Sequence, residues 1–579
     1  MKARVWKRGD LRLLVVGLAI VVAWAGIGYR LFNLQGAQAV TLASVGFDQR
    51  IKVQSIAAPR GTIYDRDGVE LAMTIDGWNV IVDPQMLDDP VAAAIVLAPF
   101  SDTDEQTLRL RLSQARDSGS RYAEIIMRIP TPDKNAIVAA VEEADLSGVF
   151  YRKQPLRVYP AGSVAAQVIG LTANDDGSGI EGLERTFDSE LQGDPGQLIV
   201  ERDPYGRVIP QGDARVEPAV PGSNIVTTID REIQFAAEQA LSKAIVRTSA
   251  IGGTIVVLAP ETGEILAMAN WPALDLNDRS QVTPNALRNR AVADVYEPGS
   301  TLKVITIAAA INEGIVDADT PIDTPRSVTV GSFEYTDEGR MPPWMPVADV
   351  VKRSSNVGAI EIERRLGKQL HFQYLTDFGL GSVTGLDVAG ERYGTLEPPS
   401  RWSVTSGSSI AIGYAVGTTA LQMAAVYATV ANDGIWTEPY LVSEIIPASG
   451  ERIITQPRTR RVLSADTAAT MRWILGRVVE EEGTGRRGRM TDYTAGGKTG
   501  TSQKFDSTEG VYTDATIASF IGMAPLGDPK VVVAIVLDTP TGEADDGVSL
   551  SLGGASAAPV FAEVAQTALH QLGVAPDRN

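Results

Sequence analysis

The apolar run over residues 13–29, closed by Arg30, constrains this chain most, because it is close to the minimum length that crosses a bilayer. Lys2, Arg4, Lys7, Arg8 and Arg12 precede it, and a basic flank keeps that end in the cytoplasm. The competing reading is a cleaved leader, since Ala37-Gln38-Ala39 mimics a small-residue cleavage site. That site lies well beyond the apolar run, with Arg30 between them. The expectation is therefore an uncleaved anchor: a cytoplasmic tail over 1–12, a transmembrane segment over 13–32, and the remaining chain outside the cytoplasm.

A chain of 579 residues is too long for one ordinary core, so two or three folded parts are expected. A formal charge of -19 argues against nucleic acid as a partner, which would need a basic face. With no cysteine there are no disulfides, thiol nucleophiles or zinc–thiolate sites. His371 and His570 are the only histidines, and neither lies in a suggestive setting, so serine chemistry here needs a lysine base.

Residues 33–220 carry no convincing catalytic set and read as a non-catalytic pedestal. Ala58-Pro59-Arg60-Gly61-Thr62-Ile63-Tyr64-Asp65-Arg66-Asp67-Gly68 holds a hairpin-turn signal at Asp67-Gly68. Gly179-Ile180-Glu181-Gly182-Leu183-Glu184 has the glycine density of tight turns. Arg60, Asp65, Arg66, Arg157 and Glu181 are expected to form ion-paired junctions. A linker near 218–222 opens a second domain, 221–579. Strands over 253–258 and 265–268 start it, helices fill its middle, strands over 517–522 and 531–537 follow, and a helix over 557–572 closes it. Strands at both ends with helices between them predict an α+β fold, an antiparallel sheet packed by helices.

Within that domain, Tyr296-Glu297-Pro298-Gly299-Ser300-Thr301-Leu302-Lys303 leads into a mostly apolar helix ending near Gly314. Ser300 stands at or just inside its N-terminus, with Lys303 one turn on and on the same face. A serine hydroxyl becomes a nucleophile when a neighbouring base takes its proton, and a lysine can do so if burial or a nearby cation lowers its pKa. A serine N-cap beside an unrelated surface lysine has the same pattern, so the partners must decide. They are Ser354-Ser355-Asn356 and Lys498-Thr499-Gly500-Thr501.

Ser-x-x-Lys, Ser-x-Asn and Lys-Thr-Gly, in that order, resemble the signature of the penicillin-recognising serine acyltransferases. The anchor, the Arg60–Gly68 and Gly179–Glu184 stretches and Gly553-Gly554-Ala555-Ser556-Ala557-Ala558-Pro559-Val560-Phe561 extend the resemblance to class B penicillin-binding proteins over nearly the whole chain. Gly413-Tyr414, Thr419-Ala420-Leu421-Gln422 and Ala431-Asn432-Asp433-Gly434 favour the division-type, FtsI-like branch over the elongation type. Asp67, Ala415, Ala420 and Ser502 depart from that family's usual residues, none at a position assigned to chemistry.

The resemblance implies a peptidoglycan D,D-transpeptidase in a bacterial inner membrane, with its catalytic domain periplasmic. Ser300 would form an acyl-enzyme on D-Ala-D-Ala with Lys303 as base. Ser354 would relay a proton, Asn356 would hold the substrate amide, and Lys498 would supply positive potential. Thr499 and Thr501 would bind the terminal carboxylate, Gly500 would let a substrate strand approach, and the Ser300 and Thr501 N–H groups would form the oxyanion hole. The implied partners are stem peptides, β-lactams as covalent inhibitors, a membrane-embedded glycan polymerase and division proteins; no cofactor is implied. The rival readings are an elongation-type transpeptidase, a β-lactamase, a D,D-carboxypeptidase, and a sensor or scaffold that is acylated without turning over.

Overall fold

A computed structural model describes residues 8–41, 51–173, 177–201, 209, 214–386, 388–506 and 508–578. Lys2, Arg4 and Lys7 of the basic flank lie outside them. The first helix, Arg8–Phe32, is about 37 Å long at 1.5 Å per residue, against the ~30 Å of a hydrocarbon core. Its apolar segment has a mean hydropathy of 2.2 and none of it is buried in protein. Length and composition therefore suit a membrane span.

The chain separates into two units, residues 1–59 with 194–220, and residues 60–193 with 221–579. Besides the helix, the first holds a three-stranded antiparallel sheet in which Gly196–Glu201 lies between Ile51–Ile56 and Ala214–Glu217.

In the second unit, strand Glu70–Val82 turns back on Ile63–Tyr64. The Asp65 carboxylate accepts the Asp67 and Val69 N–H groups, and Gly68 takes the left-handed turn at φ +84°. Asp65 thus closes the hairpin instead of joining an ion pair. Ile63–Tyr64 also pairs, in parallel, with Asn224–Thr227, so one sheet continues across the expected linker.

The ion-paired junction forms around a different glutamate from the one expected. Glu184, fully buried, takes Arg60 Nε at 2.6 Å on one oxygen and Arg157 Nε at 2.7 Å on the other. Arg60 also reaches Asp188 at 2.6 Å, and Arg66 pairs with Glu264 at 3.7 Å. Glu181 precedes the short helix Gly182–Thr186, where Glu184 sits one turn inside. The turn directs the later carboxylate to the two arginines.

The α+β expectation holds in the rest of the second unit. Five antiparallel strands run in the order Ile265–Trp271, Gly252–Leu258, Val531–Asp538, Val511–Ala524, Gly496–Asp506. Successive side chains of a strand face opposite ways. Val532, Ala534 and Val536 enter one core with helices Lys303–Asn312 and Ala420–Ala431. Val531, Val533, Ile535 and Leu537 enter the other with helices Arg231–Thr248 and Ala558–Gln571. The continuous apolar run at 531–537 is therefore a central strand buried on both faces.

Gly496–Asp506, which holds Lys-Thr-Gly, is itself the edge strand of this sheet. Its glycines answer to packing. A Cβ on Gly497 would lie 2.6 Å from the Phe520 ring, and one on Gly500 would lie 2.4 Å from Ser519 Oγ and 2.9 Å from Pro298 O. Gly500 thus lets this strand approach the loop over residues 298–300.

Candidate active site

Ser300 is carried by a close crossing of backbones. Gly299 has φ +57° and donates its N–H to Gly413 O at 3.1 Å. A Cβ on Gly413 would come within 2.0 Å of Gly299 O, so position 413 admits no side chain. Gly299–Leu302 is a 3-10 turn running straight into helix Lys303–Asn312, whose residues 303–310 are all buried. Ser300 remains half-buried at the helix entrance while Lys303 is fully buried.

Ser354 has φ +63°, a conformation that costs a residue with a Cβ on the order of 1–3 kcal/mol. Its bonds offset that cost. Lys303 Nζ donates to Ser354 O at 2.6 Å, to Ser354 Oγ at 3.3 Å and to Asn356 Oδ1 at 2.8 Å. Lys498 Nζ donates to Ser354 Oγ at 2.9 Å and to Thr499 O at 3.0 Å. The left-handed turn thus sets one serine between two buried amines. Asn356 Nδ2 donates to Thr336 O at 3.0 Å, which leaves Oδ1 as the atom facing Lys303.

Burial lowers Lys303 to about 7, against the charges of Asp337 and Glu338. Lys498 is lowered too, by burial and then by the charge of Lys303, with Glu338 opposing. Two ammonium groups in one desolvated site repel, so a neutral amine near pH 7 is favoured there. Among the described residues Ser300 Oγ makes no hydrogen bond, so nothing competes for its proton.

Ser300, Ser354, Asn356, Thr499 and Thr501 line one cleft of about 380 Å³, with the two lysines buried behind it. Thr499 Oγ1 lies 3.0 Å from Thr484 Oγ1, and Thr501 Oγ1 accepts the Gly553 N–H at 3.2 Å. Gly553 packs against this strand, where a Cβ would sit 2.4 Å from Gly500 O. Gly500 is not on the cleft wall. His371 is buried, lies 3.0 Å from Thr306 Oγ1 and is lowered to about 3 by desolvation, which makes it a neutral structural residue.

Sequence reasoning missed Asp337. Its carboxylate accepts from Ser355 Oγ at 2.8 Å, from Asn356 N at 2.5 Å and from Val357 N at 3.1 Å, capping the helix Asn356–Leu366. Asp337 follows the hairpin Ser327–Val330/Phe333–Thr336, and its local signal, Asp-Glu-Gly, reads only as a turn. Thr484 was missed for the same reason: nothing near it in the chain points to the cleft.

A sheet with buried helices on both faces, a serine at a helix entrance and two lysines sharing a second serine define the penicillin-recognising class of serine acyltransferases. The family model "Penicillin binding protein transpeptidase domain" matches residues 253–566, and "Penicillin-binding Protein dimerisation domain" matches residues 55–227. The probable peptidoglycan D,D-transpeptidase PenA of Neisseria meningitidis is 32% identical over 571 residues, covering 98% of this chain and 94% of that protein. The peptidoglycan D,D-transpeptidase FtsI of Escherichia coli is 30% identical over 562 residues, covering 96% and 91%. The crystal structure of penicillin-binding protein 3 from Mycobacterium tuberculosis, complexed with aztreonam, superposes with a TM-score of 0.70 at 30% identity, covering 91% of this chain and 98% of that one. This chain belongs to the class B penicillin-binding proteins.

Proposed function

We propose that this protein cross-links peptidoglycan at the division septum, with Ser300 as the nucleophile. The enzymatic class is that of its relatives: a serine D-Ala-D-Ala transpeptidase, which β-lactams acylate. The observation that carries the assignment of residues is the hydrogen-bonded chain Lys303–Ser354–Lys498, its two lysines buried, one helical turn from Ser300. The septal role is supported by the resemblance of Gly413-Tyr414, Thr419-Ala420-Leu421-Gln422 and Ala431-Asn432-Asp433-Gly434 to the division-type branch.

Lys303, as the neutral amine, takes the Ser300 proton while Oγ attacks the carbonyl carbon of D-Ala-D-Ala. The N–H groups of Ser300 and Thr501 hold the oxyanion. Ser354, bonded to both lysines, passes a proton to the departing D-alanine nitrogen. The second Nδ2 proton of Asn356 serves the substrate amide. Lys498 and the Thr501 hydroxyl, whose proton is uncommitted, face the terminal carboxylate, and Thr499 joins them once its hydroxyl turns from Thr484. The free edge of Gly496–Asp506 takes the substrate backbone. Purified full-length protein given nascent peptidoglycan strands should release D-alanine and form cross-links. Absence of both would overturn the reading, and a fluorescent fusion spread along the side wall would overturn the septal role.

A pH dependence follows from Lys303. The second-order rate of acylation by a fluorescent penicillin should rise with pH through about 7, because below that value the base carries its proton. Asp337→Asn removes a charge that holds the proton on, so the rising limb should move to lower pH. A limb that stays in place would show that Asp337 only caps its helix.

We further place residues 33–220 as a pedestal that, with the anchor, binds the membrane-embedded glycan polymerase and division proteins, and the catalytic domain (221–579) in the periplasm. The dimerisation-domain match over 55–227 supports the pedestal, and the exposed apolar helix supports the anchor. Sequencing of the mature protein should find its N-terminus upstream of residue 13. A terminus just after Ala39 would replace the anchor with a cleaved leader.

A further inference from the structure

The transpeptidase reading requires a second substrate whose nucleophile is an amine, and at neutral pH that amine arrives as ammonium. It must enter a cleft backed by two lysines, where like charge opposes it. The wall carries six charged side chains: Glu338, Arg353, Glu481, Glu482, Arg486 and Arg487. Arg353 pairs with Glu482 at 3.7 Å, and Arg486 and Arg487 pair with Asp546 at 3.5 and 2.5 Å. Among the described residues, the Glu338 and Glu481 carboxylates have no ion pair or hydrogen bond. The two differ in placement. The charge of Glu338 acts on both Lys303 and Lys498. Glu481 follows helix Ala465–Val478 and also lines a separate cavity with Trp473 and Arg477.

Glu338 is also presented on a fixed backbone. Its neighbour Asp337 is held by three hydrogen bonds to residues 355–357, and Gly339 turns the chain away at φ +79°. The side chain itself is exposed, so a ligand reaches it without displacing a partner.

We propose that the Glu338 carboxylate holds the ammonium of the acceptor stem peptide at the entrance of the cleft. This rests on the transpeptidase reading and adds the acceptor's docking point to it. From there the ammonium gives up one proton to solvent. The neutral nitrogen attacks the acyl carbon, the bond from that carbon to Ser300 Oγ breaks, and the nitrogen's proton returns to Oγ through Lys303. The products are an amide cross-link and free enzyme.

The test divides one acyl-enzyme between two fates, so it does not depend on how fast the acyl-enzyme forms. Full-length protein in detergent is given an N-acyl-D-alanyl thioester as donor and a lysyl tripeptide as cationic acceptor, and amide is measured against hydrolysed acid. Fluorescent penicillin labelling verifies that each variant is folded. Glu338→Gln should lower the amide-to-acid ratio about three- to fivefold at low salt, the scale of one exposed ion pair, and Glu338→Lys should lower it further. The loss should fade at high salt. Hydroxylamine, uncharged at neutral pH, should show little of the loss. Equal ratios in wild type and both Glu338 variants would overturn the proposal. So would a loss produced by Glu481→Gln and not by Glu338→Gln. If wild type yields neither amide nor acid from the thioester, the transpeptidase reading itself falls.

Discussion

Ser300→Ala should abolish covalent labelling by a fluorescent penicillin while the thermal unfolding midpoint hardly moves. The hydroxyl is half-buried, makes no hydrogen bond among the described residues, and sits on a turn whose geometry comes from Gly299 and Gly413. Removing it deletes the proposed bond-forming atom and little else. Lys303→Ala should slow acylation by about 10²–10⁴, the usual cost of losing a general base. It should also destabilise the protein, because Ser354 O and Asn356 Oδ1 lose their donor inside the fold. Comparing the two variants separates chemistry from folding. Labelling that persists in Ser300→Ala at another serine would sink the assignment.

The second large effect is on stability, far in sequence from the chemistry. Glu184→Ala should cost about 3–5 kcal/mol, because it leaves the Arg60 and Arg157 guanidinium groups without their shared carboxylate in a buried site. Arg60 keeps Asp188, and Arg157 keeps its bond to Gly61 O at 2.7 Å, so both charges remain where water does not reach them readily. Glu181→Ala, three residues earlier, should stay within about 0.5 kcal/mol of wild type, as its side chain has no bonded partner among the described residues. Thermal unfolding of the two variants side by side checks this, and equal midpoints would refute the buried-triad account.

Reading the chain in order recovers whatever depends on neighbours in sequence. The hairpin at Asp67-Gly68, the helix after Ser300 and the apolar run at 531–537 are of this kind, since periodicity and turn chemistry act over a few residues. The order Ser-x-x-Lys, Ser-x-Asn, Lys-Thr-Gly also singled out residues that the structure gathers at one cleft. The junction in residues 60–193 was half legible. Arg60 and Arg157 were identified, but the partner was set by one helical turn, which moved it from Glu181 to Glu184. Asp65 was assigned to the same junction, yet the hairpin's own N–H groups claim it.

By itself the sequence determined the long apolar N-terminal helix, the α+β class and the candidate reactive side chains, because each is a property of residue type and short-range spacing. Only the tertiary structure decided that Gly500 answers to Ser519 and Pro298. It also brought Asp337 to the start of the Asn356–Leu366 helix and Glu338 to the cleft wall. The basicity of Lys303 belongs there too. A lysine's pKa is set by the water it loses and the charges around it. Those charges are Asp337 and Glu338, which meet Lys303 only once the chain has folded.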